Sequence, residues 1–149
     1  MTSYNEYLAL AKQLASTGAT GRLLRDTAMA ALDRLPGYDW SGIYVLQGEE
    51  LHLDAFVGAP TDHTVIPVGV GVCGSAVAED QNKVIVDVRK EGNYLACSLE
   101  TRAEIVVLIR RGNEILGQID IDSHTVGRFS EEDEKGLQVL AELLAEKWE

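Results

Sequence analysis

Two hydrophobic periods divide the chain. Up to residue 35, apolar positions recur every three or four residues: Tyr4, Leu8, Ala11 and Leu14, then Leu24, Ala28, Ala31 and Leu35. That is the spacing of one helix face. Ser16-Thr17-Gly18-Ala19-Thr20-Gly21 separates the two predicted helices, and Pro36-Gly37 stops the second. The period then shortens. Trp40 to Gln47 and Leu51 to Val57 are rich in aromatic and aliphatic residues and are joined by Gly48-Glu49-Glu50, which predicts a hairpin. Thr64-Val65-Ile66-Pro67 predicts a short strand that runs into a glycine-rich turn, Gly69 to Gly74, with a short helix following over about 74–80. Lys83 to Val88 predicts another strand. Residues 89–103 read as a long loop with one helical turn. Glu104 to Arg111 and Glu114 to Asp122 form a second hairpin around Gly112-Asn113. The last element is a helix with Ser130 as its N-cap, acids in its first turn, and Leu137, Leu140, Leu143 and Leu144 as its buried stripe. Hairpins imply an antiparallel sheet, and helices gathered at the two ends of the chain can cover one of its faces. The expected architecture is α+β: an antiparallel sheet of about six strands with the terminal helices on one face. The other face is covered by loops or holds a ligand.

Length and charge narrow the function. The 149 residues predict one domain, residues 1–149, large enough to fold without a disulfide framework or a structural metal. There are 13 Lys and Arg against 24 Asp and Glu, a net charge of −11. A balance this acidic argues against nucleic acid, whose phosphates need a basic face. It argues equally against docking on an anionic membrane. No apolar run reaches the length of a membrane span. Met1 to Glu6 lack the basic-then-apolar pattern of a secretory signal, so the expected setting is cytoplasmic, where thiols stay reduced. Residues 130–149 hold seven acids and two bases, the mark of a solvated helix face.

Chemistry concentrates in few places. Gly69, Gly71 and Gly74 match G-x-G-x-x-G, but Pro67 in the preceding strand and the short following helix argue against a dinucleotide site. Cys73 sits where that turn becomes a helix, and exposed N–H groups there would lower its pKa. Cys97, in Tyr94-Leu95-Ala96-Cys97-Ser98, lies in the long loop with polar neighbours. It is either an inert packed thiol or a reactive one. Asp120-Ile121-Asp122 continues a strand. Alternation puts both carboxylates on one face, about 6.5–7 Å apart, while Ile119 and Ile121 face the other way. Asp is a poor strand former, so the pair is either at an exposed strand end or in a polar pocket that binds a cationic group. Trp40 and Tyr44 share a face of the first strand, as sheet packing or as an aromatic wall. His52 reads as an exposed strand residue. His63, Cys73, Cys97 and His124 are spaced by 10, 24 and 27 residues, which fits no short ligand pair, and no metal is expected.

These residues resemble the GAF-domain free methionine-(R)-sulfoxide reductases. The resemblance is carried by Ile66 to Ala78, by Leu95-Ala96-Cys97 with Ala103-Glu104-Ile105-Val106, by Gly117 to Ser123, by Gly127-Arg128-Phe129-Ser130, and by Trp40 to Tyr44. It spans residues of about 20 to 145. It implies a GAF fold and a thiol mechanism acting on the free amino acid. Cys97 aligns with the attacking cysteine, which would be left as a sulfenic acid. Glu104, Asp120 and Asp122 match pocket carboxylates, and Trp40 and Tyr44 match its aromatic walls. No cofactor is implied beyond an external thiol reductant such as thioredoxin, and a homodimer is, with the first and last helices as its natural surface. The family commonly has a third, resolving cysteine where this chain has His63. Either Cys73 resolves Cys97, or the reductant attacks the sulfenic acid directly, or turnover is lost and the pocket remains. The last of these merges with the alternative of a ligand-binding or sensory GAF domain without turnover.

Overall fold

The computed structural model describes residues 2–94 and 98–149. Six strands, β1 (Trp40–Gln47), β2 (Glu50–Val57), β3 (Val65–Pro67), β4 (Lys83–Ile85), β5 (Ala103–Arg111) and β6 (Glu114–Ser123), form one antiparallel sheet ordered β3-β2-β1-β6-β5-β4. The helices α1 (Tyr4–Ser16), α2 (Gly21–Leu32) and α4 (Glu131–Glu146) supply side chains to a core on one face. That core takes Ile43, Ile105, Val107, Ile109, Ile119 and Ile121 from the sheet and Leu14, Leu24, Met29, Leu137, Leu140 and Leu144 from the helices. The opposite face carries α3 (Gly71–Glu79) and a second, smaller core around Tyr44, Leu51, Ile66, Val72, Val106 and Leu108. Strand alternation sorts each strand's residues between the two cores. Among the described residues no helix is long and apolar enough to cross a membrane.

Local chemistry fixes the helix layer. Ser3 caps α1 in a capping box with Glu6, and Ser130 caps α4 in one with Asp133. Asp133 has a second task. Its Oδ1 accepts from the Tyr7 hydroxyl at 2.6 Å and its Oδ2 pairs with Arg128 at 3.2 Å. The Tyr7 hydroxyl also lies 2.5 Å from that of Tyr38. Burial pushes both phenols up, Tyr7 further because Tyr38 and then Asp133 also oppose its ionisation, whereas the Tyr7 hydroxyl and Arg128 ease that of Tyr38. Gly136 makes the α1–α4 approach possible, since a Cβ there would stand 2.1 Å from the Tyr7 ring.

Three elements end differently from the sequence expectation. α2 stops at Leu32, not Leu35, because the turn leading to Pro36-Gly37 begins at Asp33. β4 keeps only Lys83–Ile85, the length over which it pairs with β5, and Val88–Lys90 forms a 3₁₀ turn capped by Asp87. α3 begins at Gly71, one turn earlier than predicted, so Cys73 is inside the helix. Leu143, expected in the buried stripe of α4, is only half buried, and His52 is half buried beside Glu50.

Candidate active site

Register assembles the site in rows across the three central strands. Trp40 on β1, Asp122 on β6 and Glu104 on β5 stand opposite one another. The next row is Gly42, Asp120 and Val106, and the third is Tyr44, Gln118 and Leu108. All of these side chains lie on the α3 face. Asp120 is 1% exposed, Asp122 2% and Glu104 4%, so the Asp-Ile-Asp stretch is in a buried pocket and not at an open strand end. Gly42 leaves the space its row needs. A Cβ there would meet the Trp40 ring at 2.3 Å, so the indole lies across it. Trp40 is held further by its Nε1, which donates to the Ala59 carbonyl at 3.0 Å, and by the stacked Phe56 ring at 5.9 Å. The Trp40 and Tyr44 rings are 6.5 Å apart, and the Tyr44 hydroxyl donates to the His63 carbonyl at 2.8 Å.

The glycine turn brings α3 down onto this floor. Gly74 packs against the backbone of Pro67 and Gly69, where a Cβ would lie 2.5 Å from the Pro67 oxygen. Cys73 therefore points into the sheet, its Sγ 3.8 Å from Glu104 Oε2, and its carbonyl accepts from Gln118 Nε2 at 3.0 Å. The expectation of a thiol made acidic by a helix N-terminus is overturned. Burial pushes the Cys73 thiol well up, and Asp120, Glu104 and Asp122 push in the same direction. Burial likewise raises Asp120, partly offset by Glu104 and Cys73 close by. Neither Asp120 oxygen has a well-formed hydrogen bond among the described residues. Cys73, Glu104 and Asp120 line a cavity of about 10 Å³, capped by Ile66 and the start of α3. A second hollow of about 140 Å³ opens on the other side of the Trp40–Asp122 row and is bordered by Ser98, Glu100, Thr101 and His124.

Cys97 lies outside the described residues. Its flanks do not. Asn93 ties the approaching chain to the start of α3: its Oδ1 accepts from Gly71 N at 3.0 Å, and its Nδ2 donates to Ser75 Oγ at 2.8 Å and to the Gly69 carbonyl at 3.2 Å. Tyr94 packs against the second core. On the far side, Arg102 N bonds the Ser123 carbonyl at 2.8 Å. Sequence reasoning missed Asn93, which carries no local signal, and Gln118, which alternation from Asp120 would have found. Among the described residues the histidines do not join Cys73: His63 borders Tyr44, and His124 sits between Asp39 and Glu100 at 3.8 and 3.7 Å.

A six-stranded antiparallel sheet with terminal helices on one face and a polar, aromatic-walled pocket on the other defines a GAF domain, and the GAF domain family matches residues 22–147. A free methionine-R-sulfoxide reductase of Escherichia coli (strain K12) is 41% identical over 121 residues, 80% of this chain and 73% of that protein. The structure of a type II free methionine-R-sulfoxide reductase from Thermoplasma acidophilum superposes with a TM-score of 0.82 at 39% identity, covering 93% of this chain and 94% of that one. The free methionine-R-sulfoxide reductase of Neisseria meningitidis in complex with its substrate gives 0.90 at 31% identity, covering 97% and 89%. The chain belongs to the GAF-domain family of free methionine-R-sulfoxide reductases.

Proposed function

We propose that this chain reduces free L-methionine-(R)-sulfoxide to methionine through Cys97. The observation that supports this most directly is the row of Trp40, Asp122 and Glu104, with Asp120 beside it: an aromatic wall against three buried carboxyls. In this reading Trp40 and Tyr44 enclose the methyl-sulfur end of the substrate. The carboxyls hold its cationic amino group. Asp120, whose pKa burial raises, gives a proton to the sulfoxide oxygen and makes the sulfur electrophilic. The Cys97 thiolate attacks that sulfur, the oxygen passes to the cysteine, and methionine leaves. One sulfoxide and one thiol become one thioether and one sulfenic acid.

A second thiol then attacks the sulfenic sulfur and expels water, and the resulting disulfide is reduced by a further thiol. Cys73 supplies that second thiol, or an external thioredoxin-like dithiol supplies both. The reading needs no other cofactor. Burial of Cys73 holds it as a thiol, which favours the external route. A cytoplasmic homodimer joined through α1 and α4 belongs to the same reading, and a monomer by sedimentation would contradict that part alone.

The test is single turnover of the pre-reduced protein with free L-methionine-(R)-sulfoxide. The wild type is expected to form about one methionine per chain and Cys97→Ser none. Loss of two thiols per turnover identifies Cys73 as the resolver, and loss of one identifies the external route. A wild type that binds the amino acid without forming methionine makes the pocket a ligand-binding one.

A further inference from the structure

We infer that the exposed apolar patch of Val86, Leu99 and Val126 is the docking surface for an acidic dithiol protein of the thioredoxin class that reduces Cys97. The inference rests on the reductase reading and names the place where its reductant binds. Leu99 is 92% exposed, Val86 61% and Val126 47%. Side chains of this kind gain free energy when they are covered, and apolar patches left open on a folded domain mark interaction sites. The three residues come from separate segments that main-chain bonds hold together. Val88 N donates to the Arg102 carbonyl at 2.7 Å, Arg102 N to the Ser123 carbonyl at 2.8 Å, and Gly127 N to the Val86 carbonyl at 2.9 Å. The Arg102 guanidinium pins the turn that carries Leu99, its Nη1 donating to the Leu99 carbonyl at 2.9 Å and to the Thr101 carbonyl at 3.0 Å.

Two further observations point to this partner. The first is position. Leu99 follows Cys97 by two residues and stands between Ser98 and Glu100, which border the hollow beside Trp40 and Asp122. A protein that reduces the oxidised cysteine has to rest on the chain next to it. Cys73 is buried, which favours a dithiol from outside. The second is charge. The chain carries −11, yet over residues 86–102 the acids Asp87, Glu91 and Glu100 are balanced by Arg89, Lys90 and Arg102. Lys90 and Arg102 stand outside the salt bridges among the described residues, while Arg89 is held by Asp87. Two cations beside an apolar patch fit an acidic protein that the rest of the surface repels. On docking, one partner thiol attacks the Cys97 sulfenic sulfur, forming a mixed disulfide and releasing water. The second partner thiol then attacks the partner's own sulfur, so Cys97 leaves as the thiol and the partner keeps the disulfide.

The experiment uses no sulfoxide. Cys97 of the full chain carrying Cys73→Ala is converted to its mixed disulfide with thionitrobenzoate. Release of that chromophore is timed with reduced thioredoxin and, separately, with dithiothreitol. Leu99→Ser with Val126→Ser is expected to slow release by thioredoxin about fivefold or more, and release by dithiothreitol less than about twofold. Lys90→Glu should slow the thioredoxin reaction about threefold or more and leave the dithiothreitol reaction unchanged. Leu23→Ser, at an exposed leucine of α2, should change neither. Circular dichroism checks that each variant is folded, and the wild type labelled at one thiol per chain replaces Cys73→Ala if that variant does not fold. A thioredoxin rate unchanged in the double variant or in Lys90→Glu, an equal loss with both reductants, the same loss in Leu23→Ser, or a Cys97 that takes no label would overturn the surface. A chain that sediments as a dimer and becomes a monomer in the double variant would assign the patch to a second copy instead. Because no substrate is present, failure here is separate from failure of the turnover assay.

Discussion

Glu104 and Asp122 are direct cross-strand partners, two carboxyls side by side on a buried sheet face. The pairing is not the one the hairpin turn would set. Arg111 pairs with Glu114 and Arg110 with Ile115, and continuing that register would bring Glu104 opposite Ile121. An irregularity between Ile109 and Arg110 leaves Leu116 as an extra residue on β6 and moves the register by one. One residue of slip decides which face a strand's side chains share with the partner. The acidic floor is thus built by a bulge well away from it.

Burial of Asp120 makes a pH prediction. Its pKa is raised in the folded state, so the native protein holds a proton that the unfolded chain releases. The stability this gives is present below the ordinary carboxyl range and is lost as pH rises through the folded value. Asn imitates the protonated acid. Asp120→Asn is therefore expected to be more stable than wild type by about 1 kcal/mol at pH 8, with a smaller gain at pH 4. The same variant loses a hundredfold or more in turnover. Urea midpoints at the two pH values check the first statement. A variant less stable than wild type at pH 8 contradicts it.

Cys73 offers a second test. With Cys97→Ser, it is the sole remaining thiol of a chain with two cysteines. It is 5% exposed, and burial with three nearby carboxyls favours the neutral thiol. Alkylation by iodoacetamide at pH 8 should be at least about tenfold slower in the native variant than in the same variant in urea. Equal rates would mean that the thiol is open to solvent and ionises normally.

Much of this arrangement is legible in the sequence. Alternation places Asp120 with Asp122 and Trp40 with Tyr44, and hydrophobic period separates the terminal helices from the sheet. What is not legible depends on contacts between distant segments. The start of α3 is set by Gly74 seating against the Pro67 carbonyl, so a helix that local glycines delay begins at Gly71 and takes Cys73 inside. Glu104 reaches Asp122 through the irregularity at Ile109/Arg110, and nothing in Glu114 to Asp122 announces it. Asn93 reads as a turn residue because its three partners lie 18 to 24 positions away.

Gly136 tests the helix layer apart from the pocket. Alanine is a better helix former than glycine by about 1 kcal/mol in an open setting. Here its Cβ would lie 2.1 Å from the Tyr7 ring and 2.6 Å from the Tyr7 Cβ, so α1 must move as a unit. Gly136→Ala is expected to lose about 1–3 kcal/mol in urea unfolding. Methionine formed per folded chain in single turnover should stay at the wild-type value, because the change is on the opposite face of the sheet from Asp120. Unchanged stability would show that the α1–α4 contact yields easily.

Asn93 is the positioning residue whose loss should be felt furthest away. It touches no residue of the carboxyl floor. Its side chain accepts from Gly71 N and donates to Ser75 Oγ and to the Gly69 carbonyl, which joins the chain entering Cys97 to the first turn of α3. Asn93→Ala removes all three bonds while leaving an exposed surface position, so the cost to global stability is about 1 kcal/mol. Under the proposed mechanism the attacking thiolate follows Asn93 in the chain, and misplacement of a reacting group by about 1 Å costs on the order of a hundredfold. The expected signature is a fall in the rate of methionine formation of tenfold or more. Substrate affinity should change less than threefold, because Trp40, Asp120 and Asp122 are untouched. Asn93→Asp retains an acceptor for Gly71 N and should recover part of the rate. Stopped single-turnover rates at saturating substrate, read beside equilibrium binding to the Cys97→Ser forms of each variant, separate the two effects. Equal losses in rate and affinity would instead make Asn93 a structural prop of the whole pocket.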